Sequence, residues 1–392
     1  MLTRGGETAP KLMPQNPLTI LYDGWPLVRE PVSPAALHLL AILACLPEEV
    51  QPVVALPDAP PAWLQGLTTH VRPAADTAPG RLGWEQRQLP RIAWEQNAHL
   101  MHLSTLTSPL FGRRIGVVSP GVFEDGESYP ERGFAGRLLA SSRRGGLTRA
   151  RAVFWPEDLP APNLSAQLAR QPRLARLPQV VHPAFQAMGE SSNIGPNGSE
   201  NEGPALLALN LPETYILYHG LGEAAQLDHL LKAWSWAAGA IGGYYPLLLL
   251  GLGAAGMQLL SRLAAEYDVG ESVRALPGVT PDLIPALYRS CSALFHPAPV
   301  TAWGGAVQHA LASGKPIAGS ESELMDALVG PAAYLAPAGD ARALGAALLT
   351  VIVEEQVAER LSAAARQRAA GWQSGRFGES LLEAYYGLVE RI

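Results

Sequence analysis

The chain has 392 residues, of which 48% are hydrophobic and 16% charged, and its net charge is −6. This composition excludes a largely disordered chain and disfavours nucleic acid as a partner. The length exceeds what one hydrophobic core usually organises, so two domains are expected.

The N-terminal leader, MLTRGGETAPKLMPQNP, lacks the apolar core of a secretion signal. The longest apolar run, residues 244–252, is too short to span a bilayer. The sequence therefore predicts a cytoplasmic protein with no membrane span. Cys45 and Cys291 lie in apolar segments and are expected to be buried thiols rather than a disulfide.

The first half of the chain alternates short apolar runs with helical patterns. Residues 18–22 predict a strand, and residues 33–46 predict a helix with Ser33 as N-cap and Pro34 in its first turn. Further strands are expected at residues 50–56, 100–103, 115–118 and 152–155. This alternation predicts a parallel sheet.

One basic stretch interrupts this pattern. Residues 137–151 contain five arginines, which we interpret as a solvated helix face, with a membrane-surface or phosphate-facing patch as the alternative.

Residues 188–204 are rich in Gly, Ser, Asn and Glu and predict a flexible linker. The alternation then returns, with strands predicted at 215–218, 246–250, 273–276, 293–296 and 316–318. Helices are predicted at 227–236, 257–267, 282–290 and 305–312. A second doubly wound domain follows from this order.

Several motifs in the second half resemble the C-terminal domain of the family-4 retaining glycosyltransferases (glycosyl transferases group 1). They are YILYHG at 215–220, LPGV at 276–279, DLIPALY at 282–288, ALFHP at 293–297 and ALASGKP at 310–316. The first half is similar through DGWP at 23–26, AHLMH at 98–102 and VVHP at 180–183.

This resemblance implies an α/β fold of the GT-B type, with two doubly wound Rossmann-like domains facing across a cleft. An acceptor-side domain would span residues 1–187, and a donor-side domain for the nucleotide sugar would span 205–376. The linker 188–204 would separate them, and a helix at 377–392 would return to the first domain. The candidate donor-cleft residues are Gly220, Gly222, Glu223, Val279, Thr301, Trp303, Gly304, Gly305 and His309.

The charged groups that the family uses on the donor diphosphate are missing. Its arginine and lysine would fall at Ala224 and Ala225. Lys232 follows further along the same helix and is expected to face solvent. Loss of such charges removes stabilisation of the negative charge that develops on the leaving group.

The family's E-x7-E motif is replaced as well, because its two glutamates would fall at Thr301 and His309. In the first domain, residues 32–36 (VSPAA) replace the glycine-rich turn, and a family histidine would fall near Gly121. No catalytic residue is therefore assigned.

Residues 251–256 (GLGAAG) match the dinucleotide pattern G-x-G-x-x-G after a strand. They follow the second strand of their domain rather than the first, so close packing explains them better than an NAD site. His99 and His102 lie close together without a third ligand, so no metal site is predicted.

The sequence therefore predicts a glycosyltransferase-like protein with impaired catalysis that acts as a scaffold or partner subunit. Its expected partner is a protein, such as another glycosyltransferase. The alternative is an active enzyme that moves a hexose from a UDP- or GDP-sugar to a glycan or lipid acceptor. No cofactor is expected beyond the nucleotide sugar as substrate, and an NAD-binding protein is the remote alternative.

Overall fold

The computed structural model describes residues 17–64, 66–103, 108–119, 134–160, 173–186, 207–298, 300 and 302–390. Two parallel sheets organise these residues, and a buried apolar cluster lies on each face of each sheet. The predicted linker, residues 188–204, lies outside the described residues.

The N-terminal sheet has the strand order β3-β2-β1-β4-β5-β6-β7. Its strands are β1 (Leu18–Asp23), β2 (Val50–Leu56), β3 (Thr69–Val71), β4 (Leu100–Leu103), β5 (Gly116–Val118), β6 (Ala152–Pro156) and β7 (Arg173–Leu177). The C-terminal sheet has the order β10-β9-β8-β11-β12-β13. Its strands are β8 (Ile216–His219), β9 (Leu247–Leu250), β10 (Val273–Leu276), β11 (Ala293–His296), β12 (Ile317–Ser320) and β13 (Ala333–Ala336). All neighbouring strands are parallel.

Helices cover both sheets. Those of the N-terminal domain are α1 (Trp25–Arg29), α2 (Pro34–Ala44), α3 (Ala78–Gly83), a π-helix (Trp84–Gln88), α4 (Leu89–Glu95) and α5 (Phe134–Leu147). The second half contains α6 (Ala224–Ile241), α7 (Ala254–Glu266), α8 (Ile284–Ser290), α9 (Ala306–Ala312), α10 (Glu323–Val329), α11 (Ala341–Val353), α12 (Glu355–Ala369) and α13 (Ser374–Val389). Short 3-10 turns lie at Pro183–Phe185, Gly270–Ser272, Pro281–Leu283 and Gly330–Ala332.

The central strands predicted from the sequence are confirmed within one or two residues at each end. The start of α2 is confirmed too, since Ser33 Oγ accepts a hydrogen bond from the backbone N–H of Ala36 at 3.2 Å. Strands β3, β7 and β13 were not predicted. They lie at sheet edges and are partly exposed, so they lack the continuous apolar run of a central strand.

Cys45 and Cys291 are free and buried, as predicted. Among the described residues, no helix is long and apolar enough to cross a membrane.

Helix α13 comes last in the chain yet packs on the N-terminal sheet. Its apolar face, with Phe377, Leu381 and Leu388, joins the same buried cluster as Ile20 and Val54. The C-terminal end of the chain therefore forms part of the core of the N-terminal domain.

A buried polar network fixes α13 against the strands. Tyr385 Oη lies 2.5 Å from His102 Nδ1 and 3.2 Å from Tyr22 Oη, and His102 Nε2 lies 2.6 Å from Ser119 Oγ. Burial lowers the pKa of His102 to about 3, so its ring is neutral. The network satisfies polar groups that would otherwise be buried without partners.

A second buried network holds α3 and the π-helix at the carboxyl end of β1. Arg81 donates to Asp23 Oδ2 at 3.0 Å and to Glu85 Oε1 at 2.7 Å. Trp84 Nε1 donates to Asp23 Oδ1 at 2.8 Å. The paired carboxylates compensate the cost of burying the guanidinium, so these helices have one well-defined position.

We expect Tyr385→Phe to lower the free energy of unfolding by about 1–3 kcal/mol, because it leaves buried groups of His102 and Tyr22 without a partner. Urea denaturation measures this loss. Tyr386→Phe is the matched control, since Tyr386 lies next in the helix and its hydroxyl bonds to no described residue. Equal losses in the two variants would contradict a structural role for the network.

Candidate functional site in the cleft between the domains

A cavity of about 770 Å³ lies between the two domains. The C-terminal domain contributes residues that follow β8, β9 and β10, at 221–224, 250–256 and 276–279. The N-terminal domain contributes residues 29–33, between α1 and α2. This is the position where open parallel α/β sheets bind ligands, beyond the carboxyl ends of the strands.

The predicted site residues fall into two groups. Gly222, Glu223 and Val279 line the cavity, and Gly220 lies in the turn that leads to it. The others that the structure describes are buried and lie outside the lining: they are Trp303, Gly304, Gly305 and His309. Thr301 and Gly121 lie outside the described residues.

The glycine turn after β8 requires glycine for packing. Gly222 has φ +79°, and a Cβ there would lie 2.6 Å from Leu252. Gly251 has φ +92°, and a Cβ there would lie 2.9 Å from the carbonyl oxygen of Gly220. Gly251 of the 251–256 pattern therefore allows two loops to pack closely, whereas a Cβ at Gly253 would meet open space and one at Gly256 would make ordinary contacts at 3.6 Å.

The described residues at the start of α6 carry no cation. Ala224 and Ala225 begin α6 and are exposed, so no cation stands at the helix start. Lys232 is exposed two turns further along, as predicted. The backbone N–H groups of the first turn of α6 have no side-chain cap and are the remaining donors there.

Among the described residues that line the cavity, Arg29 is the one cation. Its guanidinium donates to the carbonyl oxygen of Ala74 at 2.8 Å and lies 3.4 Å from Asp58. The carboxylates of Glu30 and Glu223 also line the cavity. Charged side chains of the lining therefore favour a cation over a phosphate.

The loop at residues 302–305 packs directly on α2. The rings of Trp303 and His38 stack with centroids 4.7 Å apart and planes 10° apart. Gly304 has φ +66°, and a Cβ there would collide with the carbonyl oxygen of Pro34 and lie 2.8 Å from His38. The two domains are therefore in direct contact through this loop.

A second contact closes the same region. His219, at the end of β8, has Nε2 2.8 Å from the carbonyl oxygen of Val32 and Nδ1 2.9 Å from Tyr288 Oη. Because a carbonyl only accepts, Nε2 carries the proton and Nδ1 accepts from the tyrosine. Burial lowers the pKa of His219 to about 4.

His309 is enclosed by aromatic rings. Its ring stacks on Phe185 at 4.1 Å, meets Tyr288 edge-on at 5.5 Å and lies 6.2 Å from His219. Burial lowers the pKa of His309 well below its usual value, and the nearby His219 and His182 lower it further. The ring is therefore neutral and has no open path to a ligand in the cavity.

Comparison with known proteins decides the fold. Residues 206–368 match the model of the family "Glycosyl transferases group 1". Over the whole chain, the structure is similar to that of HepE from Anabaena, with a TM-score of 0.66 at 15% identity, covering 94% of this chain and 99% of HepE. The chain has the GT-B fold.

Two further GT-B structures agree. Sucrose-phosphate synthase from Thermosynechococcus elongatus has a TM-score of 0.64 at 15% identity. The match covers 96% of this chain and 100% of the synthase chain. WaaG, a glycosyltransferase involved in lipopolysaccharide biosynthesis, has a TM-score of 0.66 at 15% identity. The match covers 94% of this chain and 100% of the WaaG chain. No curated protein sequence shows significant similarity to the chain. The predicted GT-B architecture and the resemblance to group 1 are confirmed.

Sequence reasoning missed the residues that close this GT-B cleft, namely His38, Phe185, His219 and Tyr288. His219 carried a signal, because a polar side chain at the carboxyl end of a buried strand faces the cleft in this architecture. His38 carried none, since it lies within the apolar pattern of α2. Phe185 belongs to a short 3-10 turn that no periodicity indicates.

We expect Gly304→Ala to destabilise the protein more than Gly339→Ala. Both glycines have positive φ, so both variants incur backbone strain of about 1–3 kcal/mol. A Cβ at Gly339 meets open space, whereas one at Gly304 meets α2. The difference between their free energies of unfolding measures the contact between the loop and α2, and no difference would contradict that contact.

The buried histidines predict sensitivity to acid. The pKa values of His38, His219 and His309 are all lowered by burial, whereas an unfolded histidine titrates near 6.5. Below about pH 6.5 the unfolded chain binds more protons than the folded protein. The free energy of unfolding therefore decreases as the pH decreases, by up to about 1.4 kcal/mol per pH unit for each histidine.

Urea denaturation at a series of pH values between neutral and mildly acidic tests this expectation. His219→Gln keeps a donor for Val32 and removes one titrating group, so its pH dependence should be shallower. Stability that does not change over this range would contradict the neutral, buried state of these rings.

Proposed function

We propose that this GT-B protein no longer transfers a sugar and serves as a scaffold or partner subunit. The observation that carries the proposal is His309, which stands where the second glutamate of E-x7-E is expected and is packed against Phe185. A neutral ring in that position supplies neither a carboxylate nor space for a ribose. A protein such as another glycosyltransferase is the expected partner, and a cytoplasmic location stays a prediction.

The electrostatics of the cleft support the same proposal. Cleavage of a nucleotide sugar places negative charge on the diphosphate, and removing one stabilising donor usually costs about a hundredfold or more in rate. Here Ala224 and Ala225 take the place of two cations, while Glu30 and Glu223 line the cavity. Several such losses in one cleft should leave little transfer.

A second candidate is an active transferase that holds phosphate through backbone amides. The open cavity and the uncapped start of α6 favour it, because helix N-termini bind phosphate without a side chain. HepE, which has the same fold, is described in complex with UDP and with UDP-glucose. On this alternative the donor would be a nucleotide sugar of that kind.

The two candidates differ in turnover and in affinity. We expect the wild-type protein to release no UDP or GDP from their glucose and mannose derivatives, and to bind none of them at micromolar strength in calorimetric titration. Release of nucleotide above background in the presence of glycan or lipid acceptors, or micromolar binding, would overturn the proposal.

Adding back the missing cations separates binding from transfer. We expect Ala224→Arg with Ala225→Lys to tighten UDP binding by about tenfold or more, because charge-assisted hydrogen bonds contribute about 1.5–3 kcal/mol each. Both positions are exposed, so folding should be preserved. Turnover should remain absent, since His309 stays in place.

Lys232→Ala is the matched control for this variant, because Lys232 is exposed on the same helix but away from its start. It should leave UDP binding unchanged. A variant that gained turnover along with affinity would show that the cleft is competent and that only phosphate contacts were missing.

A further inference from the structure

The N-terminal domain carries a helical layer on the side of its sheet away from α2 and α13. Trp84, Leu89 and Ile92 of the π-helix and α4 pack on the sheet with Met101 and Val118, in a cluster separate from the one that holds α13. Helix α5 packs beside α3 in the same layer. At the end of α4, Glu95 pairs with Arg72 at 2.7 Å, which joins the layer to the residue that follows β3.

Large apolar side chains stand exposed on the outer side of this layer. Trp94 on α4 is 76% exposed, and Phe134 and Leu138 on α5 are 79% and 45% exposed. Phe111 is 76% exposed in a loop that lies against the π-helix, where the backbone N–H of Leu110 donates to Gln86 Oε1 at 2.8 Å. Exposed aromatic groups of this size on one face indicate an interaction surface.

Arginines surround these apolar groups. Residues 81–151 contain eleven arginines, no lysine and six carboxylates, although the whole chain has a net charge of −6. The exposed arginines of the layer are Arg87, Arg91, Arg113, Arg114 and Arg137. Among the described residues of this range the carboxylates are the buried Glu85 and the partly exposed Glu95, so the exposed arginines give the face a positive charge that an anionic surface would attract.

The layer also holds a pocket of about 390 Å³, between α3, the π-helix and residues 73–74. Arg87 and Arg91 line it, and no carboxylate does among the described lining residues, while Arg91 Nε also pairs with Glu95 at 2.9 Å. Arg87, Arg91 and Trp94 follow one another at helical spacing and are all exposed, so the pocket and the apolar groups share one face. The buried network around Arg81 holds this part of the layer in place.

We propose that the outer face of α4, α5 and the loop at 110–114 docks on an anionic lipid surface, with the pocket between Arg87 and Arg91 receiving a headgroup phosphate. The apolar groups project from convex helices and would enter the headgroup region, and the arginines would lie at the level of the phosphates. Aromatic and aliphatic groups combined with cations are what interfacial helices use. The proposal does not depend on whether the cleft transfers sugar.

The test uses the full chain and vesicles of phosphatidylcholine, with and without phosphatidylglycerol, in a sedimentation assay. We expect binding only to the vesicles that contain phosphatidylglycerol, and weaker binding as salt increases. Trp94→Ala with Phe111→Ala should reduce the partition coefficient by about tenfold or more, because two aromatic groups no longer leave water. Arg87→Gln with Arg91→Gln should reduce the dependence on phosphatidylglycerol.

Trp236→Ala with Tyr244→Ala is the matched control, since these aromatic groups are 54% and 80% exposed on the C-terminal domain. It should leave vesicle binding unchanged. All the substituted positions are exposed, and urea denaturation confirms that the variants fold.

Three results would overturn the proposal. One is no binding to vesicles that contain phosphatidylglycerol, and another is an equal effect of the control variant. The third is sedimentation equilibrium showing a dimer that Trp94→Ala dissociates, because the face would then be covered by a second copy of the chain. Displacement by inorganic phosphate at low concentration would assign the pocket to the free anion rather than to a headgroup.

Discussion

The start of helix α2 determines the state of the cleft. The carbonyl oxygen of Val32 accepts a hydrogen bond from His219, and the carbonyl oxygen of Pro34 lies against Gly304, which has no Cβ to separate the two domains. Here Ser33 caps the helix with its own side chain, and the backbone around it bonds to the other domain. The start of α2 therefore forms a direct interface with the C-terminal domain.

That contact explains why so many histidines in the cleft are neutral. His38, His219 and His309 come together where two domains exclude water, and each is surrounded by aromatic rings rather than carboxylates. Burial without an anionic partner disfavours the imidazolium, so the rings act as packing groups and hydrogen-bond partners. A cleft built in this way has little charge to offer a departing diphosphate. The cavity that remains lies beside the contact, and its lining is short of cations.

Two separate layers of helices pack on the two faces of the N-terminal sheet. One face holds α2 and α13, so the cleft and the end of the chain are tied to the same core through Tyr22, His102 and Tyr385. The other face holds α3, the π-helix, α4 and α5, positioned by the buried pair of Asp23 and Arg81. Asp23 ends β1, and α2 follows the same strand after α1. Both faces are therefore anchored at the carboxyl end of one central strand.

The sequence by itself determined the two parallel sheets, their central strands, the cap of α2 and the burial of Cys45 and Cys291, because period and local capping depend on neighbours along the chain. It also predicted the GT-B fold, which is confirmed, whereas the loss of charge at Ala224, Ala225 and His309 stays a prediction. Only the tertiary structure decided that Trp303, Gly304 and His309 are buried against the other domain, since their partners lie more than a hundred residues away. The same holds for the exposed face of α4 and α5, because local patterns do not show which apolar side chains remain without a partner.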